Sequence, residues 1–256
     1  MLNKKLLPAA VTAALIAGAG LAPVASADDE FTISGNVALT NDYRFRGISQ
    51  SDEDPAVQGG FDASFGPGFY IGTWASSVDF GGGDFGSLEL DYYAGWASTI
   101  GDTDFGIDVG YLYYDYPGDD GDVEGDYQEV YVHGSWKDLS LGVNYSNDYY
   151  AETGDFVYVA ADYSFTLPNI EALSIGLHVG YNMLEETELD ANGNVTDGGF
   201  LSSDEDAYTD YSVTVSYSWA SVDFSLAWVG TDLDEEDYFG TDLADDTAVF
   251  TISKSL

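Results

Sequence analysis

The chain has 256 residues and a lopsided charge: 6 Lys and Arg stand against 46 Asp and Glu, a formal net charge of -40. A polyanion of this strength repels nucleic acid, which excludes DNA and RNA as partners. Cysteine is absent, which excludes a disulfide framework, thiolate metal sites and thiol catalysis.

Residues 1–27 read as a secretory signal peptide, with basic Lys4 and Lys5, an apolar run over 6–24 and the small-x-small site Ala25-Ser26-Ala27. Cleavage is expected to leave Asp28 as the N-terminus, with four Lys or Arg against 46 acids, a net of −42. High charge with few apolar groups signals disorder. Here 15% aromatic residues, 30 Gly and long alternating runs point instead to strands and aromatic girdles. After residue 27 no apolar stretch reaches the ~20 residues a membrane helix needs. A membrane-spanning chain of this kind must therefore be a closed barrel.

Twelve strands are predicted in chain order from period-2 alternation. The first runs over 31–46, with Phe31, Ile33, Val37, Leu39, Tyr43 and Phe45 on one face and Thr40, Asp42, Arg44 and Arg46 on the other. It breaks at Gly47 into a polar loop ending in Asp54-Pro55. Even closure of this hairpin would set Arg46 opposite Ala56 and Arg44 opposite Gln58. Strand two covers 56–65, a Gly66-Pro67-Gly68 turn follows, and strand three covers 69–78 with poorly separated faces. Strand four (87–98) sets Leu88, Leu90, Tyr92, Ala94 and Trp96 against Glu89, Asp91, Tyr93 and Gly95. Strands five (104–116), six (127–136), seven (139–149) and eight (155–167) alternate in the same way, six and seven being joined at Lys137-Asp138. Strand nine (173–183) sets Leu173, Ile175, Leu177, Val179 and Tyr181 against Ser174, Gly176, His178, Gly180 and Asn182. Strands ten (208–219), eleven (222–231) and twelve (247–256) complete the set. Twelve is an even number, as in bacterial single-chain barrels. Long and short connections alternate, so all the long, acid-rich loops fall at one end. The fold class is thus all-β, a single antiparallel up-and-down transmembrane barrel over 28–256. The last strand alternates Phe250, Ile252 and Leu256, a pattern suited to reading by the barrel-assembly machinery. It carries Leu256 in place of a terminal aromatic, and Lys254 on the apolar face, from which it can snorkel.

The stretch NDYRFRGISQSDEDPAVQGG carries a family signal. The order N-x-x-L-x-N-D-Y-R-F-R-G-I-S-Q-S, then P-A-V-Q-G-G and G-F-Y-I-G-T-W-A-S, over 33–77, resembles the TorF-type porin family, with a weaker echo at LELDYYAGW. The resemblance implies a Gram-negative outer-membrane barrel with a porin-like role, and names no solute.

Parity places Asp42, Arg44, Arg46, Gln58, Asp62, Glu89, Asp91, Asp108, Glu129, Asp162, Asp210 and Asp223 on the lumen face. The acids suit a cation-attracting wall, or simply a wetted polar face. The two arginines suit a cationic spot for a solute's anionic group. Equally, they suit neutralisation of carboxylates such as Asp42 and Asp62 and a plug in the bore. Tyr43 and the tryptophans Trp74, Trp96, Trp136, Trp219 and Trp228 are expected in interfacial girdles. Asp190-x-Asn192-x-Asn194 starts like a calcium loop, but Val195 stands where Gly is needed and Leu201 where Glu is needed, so it reads as a solvated loop. His133 and His178 fall at lumen positions. A G-x-S-x-G elbow, phosphate loop or His-Glu-x-x-His motif is absent, so no catalytic or metal residue and no cofactor is assigned.

Eight-stranded barrels are filled by side chains, while 16–18 strands leave an open channel. Twelve strands imply a narrow, partly occluded bore. The expected function is passive diffusion of small solutes or ions, with cations preferred, from a barrel surrounded by outer-membrane lipid. The alternatives are a non-conducting structural or surface barrel, a soluble periplasmic all-β protein and an outer-membrane lipase.

Overall fold

A computed structural model describes residues 31–80, 86–118, 124–189, 195–203 and 205–256. The expected signal peptide and the start of the Asp190 loop lie outside these residues. Twelve strands form the wall: β1 (Thr32–Thr40), β2 (Ala56–Phe65), β3 (Phe69–Ser77), β4 (Leu88–Thr99), β5 (Phe105–Asp115) and β6 (Tyr127–Trp136), then β7 (Leu139–Ser146), β8 (Phe156–Thr166), β9 (Leu173–Met183), β10 (Ala207–Trp219), β11 (Val222–Thr231) and β12 (Thr247–Ser255). Each pairs antiparallel with its chain neighbour, and β1 pairs with β12, so the sheet is a closed barrel. Closure satisfies every edge, the condition for a sheet to sit in lipid.

The alternation in the sequence becomes an inside and an outside. Leu141, Leu177, Val213 and Leu226 project outward, each 44–55% exposed. Their chain neighbours turn inward, where Glu89, Asp91, Glu129 and Asp210 are buried. An apolar surface wrapped around a closed barrel is built to face lipid, not water. Lys254 lies on this outer face, exposed near the end of β12 and opposite Val37. Trp96, Trp136 and Trp219 ring the short-turn end. Toward the long-loop end, Tyr145 and Tyr211 donate their hydroxyls to Asp155 and Asp246, and Trp228 donates its indole N–H to Asp246. Such rings carry an apolar body into lipid and a polar tip to the interface. Short turns follow their chemistry: Ala220 and Ser221 take φ of 53° and 60° to join β10 and β11, the two-residue geometry that matches strand twist.

The first predicted strand is corrected. β1 ends at Thr40, six residues before the expected Arg46. Thr40 is paired with Ala56, and Ala38 with Gln58, positions expected for the two arginines. Beyond Thr40 the chain turns into the barrel. The Thr40 hydroxyl donates to the Asp42 carbonyl at 2.8 Å, and the Asn41 backbone N–H still bonds β12 at Phe250. A miniature hairpin follows, Arg44–Phe45 against Ile48–Ser49, turning on Arg46 and Gly47 with φ of 49° and 86°. Glycine is required here twice over. The φ is left-handed, and a Cβ on Gly47 would lie 2.3 Å from Thr231 Cγ2 in the wall. Tyr43 and Phe45 were expected on the lipid face and are buried inside, at 3% and 9% exposure. Trp74 likewise faces inward, its ring centroid 5.4 Å from that of Tyr43. Both are removed from the girdle. The extended pattern misled because the inward fold also has an apolar side, which meets the lumen's aromatic lining rather than lipid.

That lining fills the barrel toward the long-loop end. Tyr114, Tyr116, Tyr127, Tyr149, Phe156 and Tyr158 form one buried cluster with Tyr43 and Phe45. Rings lie over wall glycines: a Cβ on Gly110 would meet the Tyr131 hydroxyl at 2.3 Å, and one on Gly95 the Tyr70 hydroxyl at 2.3 Å. Aromatic cover of strand glycines restores the packing those glycines give up.

Candidate functional site: the barrel lumen

Residues 41–55 form a plug across the lumen, and the two arginines are its polar anchors. Arg44 is held within the plug and by an outer loop. Its Nε donates to Asp42 at 2.5 Å and its Nη2 to Glu53 at 2.7 Å. Its Nη1 donates to the carbonyls of Gly47, Leu243 and Asp245, the last two in the loop between β11 and β12. Asp42 accepts Ser49 Oγ as well, at 2.7 Å, so both of its oxygens are used. The Arg44 fork therefore ties the plug to the last long loop.

Arg46 instead anchors the plug to the wall. Its Nη1 and Nη2 approach Glu129 of β6 at 2.7 and 2.8 Å, with both side chains nearly free of solvent contact. The guanidinium also lies over Phe45, Phe156 and Tyr158, 4.4–4.6 Å from each centroid, the geometry of cation–π attraction. Burial opposes the charge on Arg46. The Glu129 carboxylate, together with Tyr149 and Tyr114, more than offsets this and raises its pKa, so the guanidinium stays charged. Asn144 of β7 donates its Nδ2 to Glu129 at 2.8 Å, and its Oδ1 accepts from His133 Nε2 at 3.1 Å.

Beneath the plug two carboxylates differ in their support. Glu89 accepts Tyr43 Oη at 2.8 Å and Tyr116 Oη at 3.0 Å. Burial, and after it the Glu89 charge, push the Tyr43 hydroxyl well above its ordinary value, so it bonds as a neutral donor. Asp91 is 0% exposed, and among the described residues neither of its oxygens receives a hydrogen bond. A buried carboxylate without donors is costly. A gap between plug and wall, lined by Phe45, Ile48, Gln50 and Tyr149 among others, holds only about 20 Å³, room for about one water.

Toward the short turns the lumen is wetter. Asp162 of β8 is half exposed and lies 2.7 Å from His178 Nδ1, while His178 Nε2 lies 2.9 Å from Asp210. Asp210 also accepts Asn182 Nδ2 and the Tyr158 hydroxyl. Asp62 accepts Tyr93 Oη, and Asp108 accepts Tyr70 Oη, each at 2.6 Å. Tyr70 and Tyr131 are joined through their hydroxyls. Beside the β10–β11 turn Ser218 donates to Asp223, while at the long-loop end of β2 and β3 Gln58 donates to Ser76 at 3.3 Å.

Every lumen residue expected from parity on β2 and β4 to β10 thus faces inward. Asp42, Arg44 and Arg46 are inside too, but on the plug rather than the wall. Arg44 meets Asp42 as one of the two readings foresaw, whereas Asp62 is served by Tyr93 and not by an arginine. The residues missed were the plug's partners. Tyr158 was readable, since Val157 and Val159 face outward and set it inward. Tyr149 was expected at the end of strand seven with the parity of its outward residues, but β7 stops at Ser146 and Tyr149 is buried inside; Glu53, in the loop, gave no periodic signal. Among the described residues no group of three His, Cys, Asp or Glu is arranged to hold a metal ion.

Residues 24–256 match a bacterial family described as protein of unknown function, Gcw_chp. No curated protein matches. Among solved structures, a chain studied for the in-meso crystallization of membrane proteins superposes with a TM-score of 0.53 at 8% identity, over 88% of this chain and 83% of that one. The NanC porin superposes at 0.50 and 12% identity, over 87% and 98%. The KdgM porin gives 0.47 at 12% identity, over 87% and 96%. At such identities the likeness is one of fold alone, a closed antiparallel barrel.

Proposed function

The chain belongs to the Gcw_chp family of bacterial proteins, and we propose that it is a porin-like barrel of the Gram-negative outer membrane, a narrow passive route for small solutes that prefers cations. One observation carries this reading: a closed twelve-stranded barrel with an apolar outside and a carboxylate-lined inside. A carboxylate-lined interior enclosed by an apolar wall suits the passage of small cations. The resemblance of 33–77 to TorF-type porins agrees with it, as does the signal peptide expected over 1–27. Outer-membrane lipid would contact the wall, and the assembly machinery would read β12.

At ~0.15 M salt the Debye length is about 8 Å, so acids in the loops are largely screened from the bore. Selectivity then depends on wall residues, where Glu89, Asp91, Asp108 and Asp162 outnumber the cations. Purified protein in planar bilayers under a salt gradient is expected to give a reversal potential of the cation-preferring sign. The opposite sign would overturn the cation preference. The filled lumen favours a second reading, a non-conducting structural barrel. Silence at all salts and voltages, with and without disruption of the plug, would establish it.

A further inference from the structure

We propose that residues 41–55 are a displaceable plug, latched to the wall by Arg46 on Glu129, whose departure leaves Glu89, Asp91 and Glu129 as an acidic constriction that selects small inorganic cations. The inference rests on the channel reading above and deepens it.

The barrel does not need the plug to close. β1 pairs with β2 on one side and β12 on the other through Thr40, and the plug begins only after that residue. Beyond the Asn41 N–H bond to Phe250 at its root, its backbone links to its surroundings are sparse: the Ser51–Asp79 bridge with its Gln50 carbonyl bond, and Ser49 N–H to Leu243. Arg44 and its carboxylates travel together, because Asp42 and Glu53 belong to the same segment. Arg46 differs. Its carboxylate partner is on the wall, so withdrawal of the plug separates the pair.

Three wall carboxylates then change state at once. Glu129 loses Arg46, and Glu89 loses the Tyr43 hydroxyl. Asp91, which lacks any donor in the plugged state, gains water. The two cationic side chains leave with the plug, so the exposed cluster on β4 and β6 is purely anionic. Carboxylates clustered on the wall of a narrow bore attract cations and repel anions. The unpartnered state of Asp91 is thus the cost of a residue placed for the open form, and it also loads the closed form toward opening.

The test uses full-length protein, processed as exported, in planar bilayers, with heat-modifiable gel mobility as the folding control. Arg46→Met leaves Glu129 buried and unpaired, and is expected to raise open probability on the order of a hundredfold. Gly47→Ala provides an independent, uncharged route to the same result, because its Cβ collides with Thr231. The pair Ser51→Cys and Asp79→Cys places a disulfide across the parallel bridge. It is expected to silence the barrel when oxidised and to release it on adding dithiothreitol. In the Arg46→Met background, Asp91→Asn with Glu89→Gln is expected to reduce the cation reversal potential. Wild-type conduction that neither the disulfide nor Arg46→Met and Gly47→Ala alters would overturn the plug while leaving the channel standing. Opening with unchanged selectivity in the carboxylate variants would overturn the constriction. No conduction from any folded variant, reduced or oxidised, would overturn the channel reading itself.

Discussion

Leu177 and His178 are adjacent in β9 and should respond oppositely to arginine. Leu177 points outward at 44% exposure, between Tyr163 and Val213, which are themselves 43% and 49% exposed. It is the fifth of eleven residues in its strand. At about 3.4 Å per residue and a tilt near 40°, the strand spans roughly 29 Å of height, and Leu177 lies within about 4 Å of its middle. Arginine facing lipid at that depth costs roughly 2–4 kcal/mol, a factor of about 30 to 700 in the folding equilibrium. His178 faces Asp162 and Asp210. Arginine there places a cation between two carboxylates, so His178→Arg should change folding far less. The assay is refolding into vesicles across a urea series, with the folded fraction read from heat-modifiable gel mobility. Leu177→Arg should shift the midpoint strongly and His178→Arg weakly. Equal loss in both, or a larger loss at His178, would refute the assignment of lipid and lumen faces.

Two further outcomes follow from local geometry. Gly110→Ala drives a Cβ against the Tyr131 hydroxyl at 2.3 Å, so it should destabilise the barrel by about 1–3 kcal/mol, seen as a lower urea midpoint. Gly134→Ala has open space around its Cβ and should cost less. Ala220→Asn with Ser221→Gly fits the left-handed φ values of the β10–β11 turn. The pair should raise the same midpoint, by about 0.4–1 kcal/mol per site or somewhat more.

How much was legible in the sequence varies along the chain. β2, β6, β9 and β11 match the expected spans of 56–65, 127–136, 173–183 and 222–231 at both ends, and the other strands from β3 to β12 fall within one to three residues of expectation. Period-2 alternation carried them because each wall strand has one partner medium on each side: lipid outside, polar groups inside. The inward position of Glu89, Asp91, Glu129 and Asp210 followed from the same parity. The failure came where a segment with the right alternation had a different partner. Tyr43 and Phe45 alternate with Arg44 and Arg46 as wall residues would, and no local property distinguishes lipid from an aromatic lumen as the apolar medium.

The sequence by itself therefore determined the strand count, the barrel, the face of the wall residues outside β3 and the sorting of long and short connections, since all of these depend on period and turn chemistry within a few residues. Only the tertiary structure decided that residues 41–55 enter the bore, that Arg46 reaches Glu129 eighty-three positions later, and that Asp91 is left without a donor. Those facts depend on which distant surfaces meet once the barrel has closed. Closure fixes a lumen of limited volume, and the groups that fill it are chosen by shape and charge across the whole ring of strands, not by their neighbours in the chain.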